Sequence, residues 1–345
     1  MLRAGAIAFF ATIAVVPLVR RFCIRWSLYD LNGPLKVHVG AIPRLGGVAI
    51  ALALVAGIVF NHQFDAMQAR PFLTALALIW AVGFVDDIQG LSPILRLAIQ
   101  IAGGVLLWYG GWRLPWFENP AINLAGVCFL AIVFINASNF LDGADGLCAG
   151  VTGIIAVAYI FLPGVALSEL GSLVAWSLLG ASLGFLFFNF PPNAKIFMGD
   201  SGSTVFGFCI VFLGLDFCRS NAATLTDATV LFPIVVAGLP LLDATLAVSR
   251  RLVGGGDLFY GDRRHFYDLW MGLGWTPRRV ALTTYALTAG ICAIAGLVLK
   301  CDFRQALSLS MGTAGILLVA GWRLGSLRQD QETQGKPADC SPTAE

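Results

Sequence analysis

Asp86-Asp87, Asn139-Phe-Leu-Asp142-Gly-Ala-Asp145-Gly and Met198-Gly-Asp200-Ser-Gly each set carboxylates at short spacing against a long apolar stretch. Such oxygen-rich clusters suit a hard cation. Mg2+ in particular binds through one or two carboxylates, keeps several waters and bridges substrate phosphates. A lone carboxylate in the middle of a bilayer costs roughly 2.5–3.5 kcal/mol on the insertion scale, so these acids need water, a metal or a cationic ligand. Asp86-Asp87 close an apolar run, where carboxylates oppose the helix dipole and repel each other unless a cation is near. Asn139 and Asp142 are three apart and can share one side of a helix end. Gly143 and Gly146 permit tight turns or close approach of backbone to a ligand. Two structural explanations compete with the chemical one. Asx-turns would account for part of the Asn and Asp density, and Asp200 at the start of a helix could be a simple cap.

Cations accompany the acids. Lys36, His38 and Arg44 precede Gly46-Gly47, Lys195 lies just before Asp200, and Arg263, Arg264 and His265 follow Asp262 in a glycine-rich loop. Arginine suits phosphate through its two-pronged guanidinium. Arg20, Arg21, Arg278 and Arg279 are read as ordinary loop charges. Carboxylates, a metal and cations together imply an anionic substrate, a diphosphate. In a membrane chain the matching chemistry is phosphoryl transfer from a soluble nucleotide donor to a lipid acceptor, which relies on positioning and charge neutralisation.

The elements that must hold these residues are membrane helices. The 345 residues are 58% hydrophobic and 12% charged, with mean hydropathy +0.80. Apolar runs of the length a helix needs to cross about 30 Å of hydrocarbon recur along the chain, with no ten-residue alternation of a β-barrel. An all-α polytopic protein of about 10–11 transmembrane helices is expected. Its spans are read near Ala4–Val19, Leu45–Phe60, Pro71–Val85, Ile94–Gly110, Ala121–Ile135, Leu147–Pro163, Leu170–Phe188, Ser201–Phe217, Ala228–Val248, Val280–Leu299 and Gln305–Trp322. The eighth is the least helix-like, because Asp200 and small polar residues crowd its start. Of the 22 Lys and Arg, all but Arg3, Arg70, Arg113, Arg219, Lys300 and Arg304 then fall on one side. The positive-inside rule makes that side cytoplasmic. Every acidic motif lies there too, which predicts one water-accessible, cytoplasm-facing cleft.

Four ordered motifs resemble the polyprenyl-phosphate N-acetylhexosamine-1-phosphate transferases. They are Lys36-Val-His38 with Pro43-Arg44-Leu-Gly46-Gly47, Val85-Asp86-Asp87, Asn136-Ala-Ser-Asn139-Phe-Leu-Asp142-Gly-Ala-Asp145-Gly-Leu, and Ala194-Lys195-Ile-Phe-Met-Gly-Asp200-Ser-Gly. The resemblance runs from Lys36 to His265 and implies transfer of an N-acetylhexosamine-1-phosphate from a UDP-sugar to undecaprenyl phosphate, releasing UMP. It implies Mg2+ (with Mn2+ as a substitute) held by Asp200 and Asp142. Asp86 would deprotonate or orient the lipid phosphate with Asp87 supporting it. Asn139, Asp142 and Asp145 would position the nucleotide and diphosphate. Lys36, His38, Arg44, Lys195, Arg263, Arg264 and His265 would contact substrate. The pattern is closest to the branch that transfers GlcNAc-1-phosphate to start surface polysaccharides; the UDP-MurNAc-pentapeptide branch is the alternative. Members of the first branch often carry His-x-His-His in the late loop, and here Tyr267 and Asp268 depart from it.

The implied setting is a bacterial inner membrane, with no nucleic-acid partner and a homodimer as a candidate assembly. Residues 1–322 form one transmembrane domain, and the polar segment 323–345 is expected to be a disordered cytoplasmic tail. The eight cysteines show no C-x-x-C spacing, and a Cys218–Cys301 disulfide at the outer face is disfavoured. An ion-coupled secondary transporter would also place acids in a membrane. It predicts acids near the midplane and a two-fold repeat, and neither is visible.

Overall fold

The computed structural model describes residues 1–30, 42–61, 65–221, 229–253 and 264–323. Three helices begin where the sequence supplies both a cap and a fixed φ. Ser92-Pro93, Asn119-Pro120 and Thr276-Pro277 each pair a capping side chain with proline in the first turn, and each cap accepts a backbone N–H one turn on. Asp65 and Ser168 cap two further helices without a following proline.

The helices in chain order are α1 (Leu2–Arg25), α2 (Gly46–Val59), α3 (Ala66–Gln89), α4 (Pro93–Tyr109), α5 (Pro120–Leu141), α6 (Leu147–Phe161) and α7 (Glu169–Asn189). They continue with α8 (Asp200–Ser220), α9 (Phe232–Val236), α10 (Gly238–Val253), α11 (Phe266–Gly272), α12 (Pro277–Val298) and α13 (Phe303–Arg323). A two-residue antiparallel ladder joins β1 (Tyr29–Asp30) to β2 (Ile42–Pro43). The fold is an all-α polytopic membrane protein. Among the described residues α1, α3, α5, α7, α8 and α12 are long and apolar enough to cross a membrane, with α2, α4, α6 and α13 as shorter apolar helices. Phe10, Leu18, Phe22, Phe129, Phe161, Phe187 and Ile316 stand exposed on their outer faces. That is tolerable where hydrocarbon, not water, is the solvent.

The eighth span is present as a helix where it was read, and the ninth needs correction. The eighth span is the hub of the bundle: α8 is apolar around its circumference, buried throughout its spanning length, and packed by α2, α3, α5 and α7. The expected ninth span is broken at Ala237 into α9 and α10. Pro240 has no N–H to give the Val236 carbonyl, so the helix ends and restarts with proline in its first turn. The described cysteines are free thiols, Cys218 and Cys301 among them. The expected tail beyond Arg323 lies outside the described residues.

Candidate active site

The site is assembled around the first turn of α8. Phe197 donates to the Pro43 carbonyl at 2.8 Å, and Gly46 and Gly47 donate to the Phe197 and Met198 carbonyls at 2.9 and 2.8 Å. The first and fourth sequence motifs are thus stitched together by backbone. Side chains are excluded from the junction. A Cβ on Gly47 would stand 2.2 Å from the Gly202 nitrogen, and one on Gly83 would stand 2.7 Å from the Ser201 Cα. Asp87 completes the cradle. Its carboxylate accepts the Asp200 N–H at 2.8 Å, the Ser201 N–H at 3.1 Å and the Ser201 hydroxyl at 2.6 Å. These are the orphan donors of a helix N-terminus, met by a carboxylate from another helix.

Among the described residues Asp86 and Asp87 have different hydrogen-bonding partners. Neighbours on a helix point about 100° apart, and while Asp87 turns to α8, Asp86 turns to Arg96. The Arg96 guanidinium lies 3.2 Å from Asp86 Oδ2 and 2.8 Å from Asp200 Oδ2, bridging the two acids. Asp200 Oδ1 accepts from Asn139 Nδ2 at 3.0 Å, and the same amide reaches Ser203 at 3.1 Å. Asp86 Oδ1 accepts the Leu91 N–H, which fixes the end of α3. Arg96 and Asp200 keep 34% and 29% of their side-chain exposure, so the cluster is open to a ligand. Behind it, one turn along α4, Gln100 pairs with Asn136 at 2.7 Å. A recess of about 20 Å³ lined by Arg96, Gln100, Asn136, Asn139, Asp200 and Thr204 has room for one water.

The turn between α5 and α6 carries Asp142 and Asp145. Tyr267 donates to the Phe140 carbonyl at 2.9 Å, Tyr285 to the Gly146 carbonyl at 2.7 Å, and the Gly146 N–H donates to Asn189 at 2.8 Å. A Cβ on Gly143 would fall on the Tyr267 hydroxyl. Burial pushes the Asp142 carboxyl well above the ordinary carboxylate range, and repulsion from Asp200, Asp87 and Asp145 pushes it further. That surplus of negative charge fits a divalent cation. Among the described residues no three His, Cys, Asp or Glu side chains form a closed cage. Asp142 and Asp200 lie within electrostatic reach of each other, and Mg2+ is commonly held by only one or two carboxylates, with water and phosphate oxygens completing its shell.

The remaining expected residues divide. Arg44 lies within electrostatic reach of Asp87, while Lys195 is exposed on the loop before Asp200. Arg264 is half-buried, and His265 is buried against Asp243. Lys36, His38 and Arg263 lie outside the described residues. Arg96, Ser201, Ser203, Gln100 and Asp243 join the network without having been singled out from sequence. Arg96 did carry a signal, since a cation in the first turn of a helix opposes the dipole. Asp243 carried one as a lone acid inside an apolar run. Not every buried acid belongs to the site. Asp216, sixteen residues or about 24 Å along α8 from Asp200, is fully buried and accepts from Trp112 Nε1 and from both the Ser168 N–H and hydroxyl. It ties the far ends of α4, α7 and α8.

The helical membrane bundle presents carboxylates, amides and an arginine at one mouth, groups suited to phosphorylated substrates. Residues 69–217 match the family described as glycosyl transferase family 4. The chain is 31% identical to a Bacillus subtilis protein named "Probable undecaprenyl-phosphate N-acetylglucosaminyl 1-phosphate transferase", over 85% of this chain and 83% of the relative. It is 34% identical to the decaprenyl-phosphate N-acetylglucosaminephosphotransferase of Mycobacterium leprae, over 85% and 81%. It is 28% identical to the undecaprenyl-phosphate alpha-N-acetylglucosaminyl 1-phosphate transferase of Escherichia coli K12, over 81% and 78%. The chain belongs to glycosyl transferase family 4 and is a glycosyl-phosphate transferase of the polyprenyl-phosphate type.

Proposed function

We propose that the protein transfers N-acetylglucosamine-1-phosphate from UDP-N-acetylglucosamine to undecaprenyl phosphate at the cytoplasmic face of a bacterial inner membrane. The observation that carries this reading is the Asp86–Arg96–Asp200–Asn139 cluster, open at the mouth of the bundle and flanked by Asp142. The one-sided distribution of Lys and Arg supports the orientation. In the reaction an oxygen of the lipid phosphate attacks the sugar-bearing phosphorus of the donor. The phosphoanhydride bond breaks and its electron pair leaves with UMP.

Asp86, on the acceptor side, takes the remaining proton of the lipid phosphate and orients it. Arg96, between Asp86 and Asp200, offers N–H donors to phosphate oxygens of either substrate. Asn139 holds Asp200 at the donor side, and Asp87 keeps the first turn of α8, and so Asp200, in place. Asp200 and Asp142 would hold Mg2+, which when bound neutralises charge on the diphosphate. Arg44, Lys195, Arg264 and His265 supply further cationic or hydrogen-bonding contacts, with Lys36, His38 and Arg263 in the same role.

The direct test incubates purified protein with Mg2+, undecaprenyl phosphate and a panel of UDP-sugars that includes UDP-MurNAc-pentapeptide, and follows UMP release and labelled lipid. Turnover with UDP-N-acetylglucosamine is expected. Turnover confined to another sugar would overturn the donor, and none with any UDP-N-acetylhexosamine would overturn the reaction.

A further inference from the structure

Asp243 is a buried carboxylate within α10 to which the chemistry above gives no task. Its Oδ2 lies 2.5 Å from His265 Nδ1, and its Oδ1 accepts the backbone N–H of Phe266 at 3.3 Å. An ionised carboxylate only accepts, so the ring proton between them sits on Nδ1. The imidazole is held on its faces as well. Tyr267 stacks parallel to it, with centroids 5.3 Å apart and planes 4° apart, and Phe140 packs at 5.4 Å. Phe140 also belongs to the chain leading into the Asp142 turn, and Tyr267 donates to its carbonyl. Contacts from α10, α11 and the end of α5 thus fix the tilt, rotation and proton placement of one ring.

We propose that Asp243 is the positioning residue for His265. It commits the Nδ1 proton and aims the ring, so that Nε2 is the nitrogen that takes up and returns a proton at substrate phosphate. This rests on His265 being a phosphate contact, as proposed above, and adds the group that makes it one. A carboxylate that only capped α11 would need Phe266 alone. The second oxygen, spent on the ring, is what the capping explanation leaves unexplained.

Asp243→Asn separates the two. The Phe266 N–H still requires an acceptor, so the amide oxygen stays there and the NH2 turns toward His265. Nδ1 must then accept, and the ring proton moves to Nε2. The chain has three histidines, so the His265 ring 15N signals can be assigned by their loss in His265→Gln. Wild-type protein should show the Nδ1-protonated pattern and Asp243→Asn the Nε2-protonated one. The substitution should lower kcat/KM for the UDP-sugar by about tenfold or more, the difference between a charge-assisted and a neutral hydrogen bond. In a His265→Gln background the same change should cost less than twofold, because the two residues act as one unit. Equal losses in both backgrounds would make Asp243 a fold-holding acid and overturn the proposal. So would a wild-type ring protonated on Nε2, a measurement that needs no variant at Asp243. Full activity of His265→Gln would instead remove the phosphate-contact reading of His265, while the ring signals still report whether Asp243 sets the tautomer.

Discussion

Asp87→Asn asks whether this acid reacts or builds. In the structure it accepts three hydrogen bonds, two from backbone N–H groups of the first turn of α8 and one from the Ser201 hydroxyl. An amide keeps one acceptor oxygen and turns an NH2 toward donors that need an acceptor. One buried N–H left unmet costs about 1–3 kcal/mol. Loss of the negative charge at a helix N-terminus adds about 0.3–1 kcal/mol, more where the site is partly buried. A destabilisation of roughly 1–4 kcal/mol follows, an amount that shifts thermal unfolding by several degrees. Asp200 leads the same turn, so activity should fall with stability; a displacement near 1 Å is enough for about a hundredfold loss. The assay pairs transfer rate with inactivation half-life in detergent and with hydrogen exchange at the Ser201–Ser203 amides. Exchange there should accelerate in Asp87→Asn and stay unchanged in Asp86→Asn, which should lose activity alone. An inactive Asp87→Asn with wild-type half-life and unchanged exchange would refute the reasoning and make Asp87 a reacting group.

Other outcomes follow from the same geometry. Arg96→Ala leaves Asp86 and Asp200 facing each other without their shared cation, and should reduce turnover at least a hundredfold, with Arg96→Lys recovering only part because it cannot bridge both acids. Asp142→Asn should abolish most transfer yet resist heat better than wild type when assayed in a chelator near neutral pH. A carboxyl whose folded value is raised binds its proton more tightly in the folded state, so its stability contribution is lost as pH rises from about 4; the difference between the two proteins should therefore narrow toward pH 4. Gly83→Ala places a methyl 2.7 Å from the Ser201 Cα, backbone that no rotamer change can move, and should destabilise the fold by about 1–3 kcal/mol or more. Gly290→Ala meets nothing within 4 Å and should be neutral or slightly stabilising in the same heat-inactivation assay.

Much was legible before any coordinates. Length and hydropathy determined a helical membrane protein, because an apolar run of spanning length satisfies its backbone inside a bilayer by coiling into a helix. The motifs named Asp86, Asn139, Asp142 and Asp200, because clustered carboxylates beside apolar helices are too costly to be idle. The ladder of charges supplied an orientation. The rest depended on distances between segments far apart in the chain. Asp86 and Asp87 look alike in sequence, yet one faces Arg96 and the other caps α8, since adjacent helical positions diverge and only packing decides what each meets. Arg96 was only one of sixteen same-side cations until α4 was laid against α3 and α8. Asp216 and Asp243 are both lone acids in apolar runs, and their sequence neighbourhoods do not tell them apart. Tertiary structure assigns the first to Trp112 and Ser168 and the second to His265. Sequence determined which groups require a partner, because that follows from transfer free energy. Which partner each one has was decided by the fold, because hydrogen bonds act over about 3 Å and residues that meet here, such as Phe197 and Pro43, lie as much as 154 positions apart.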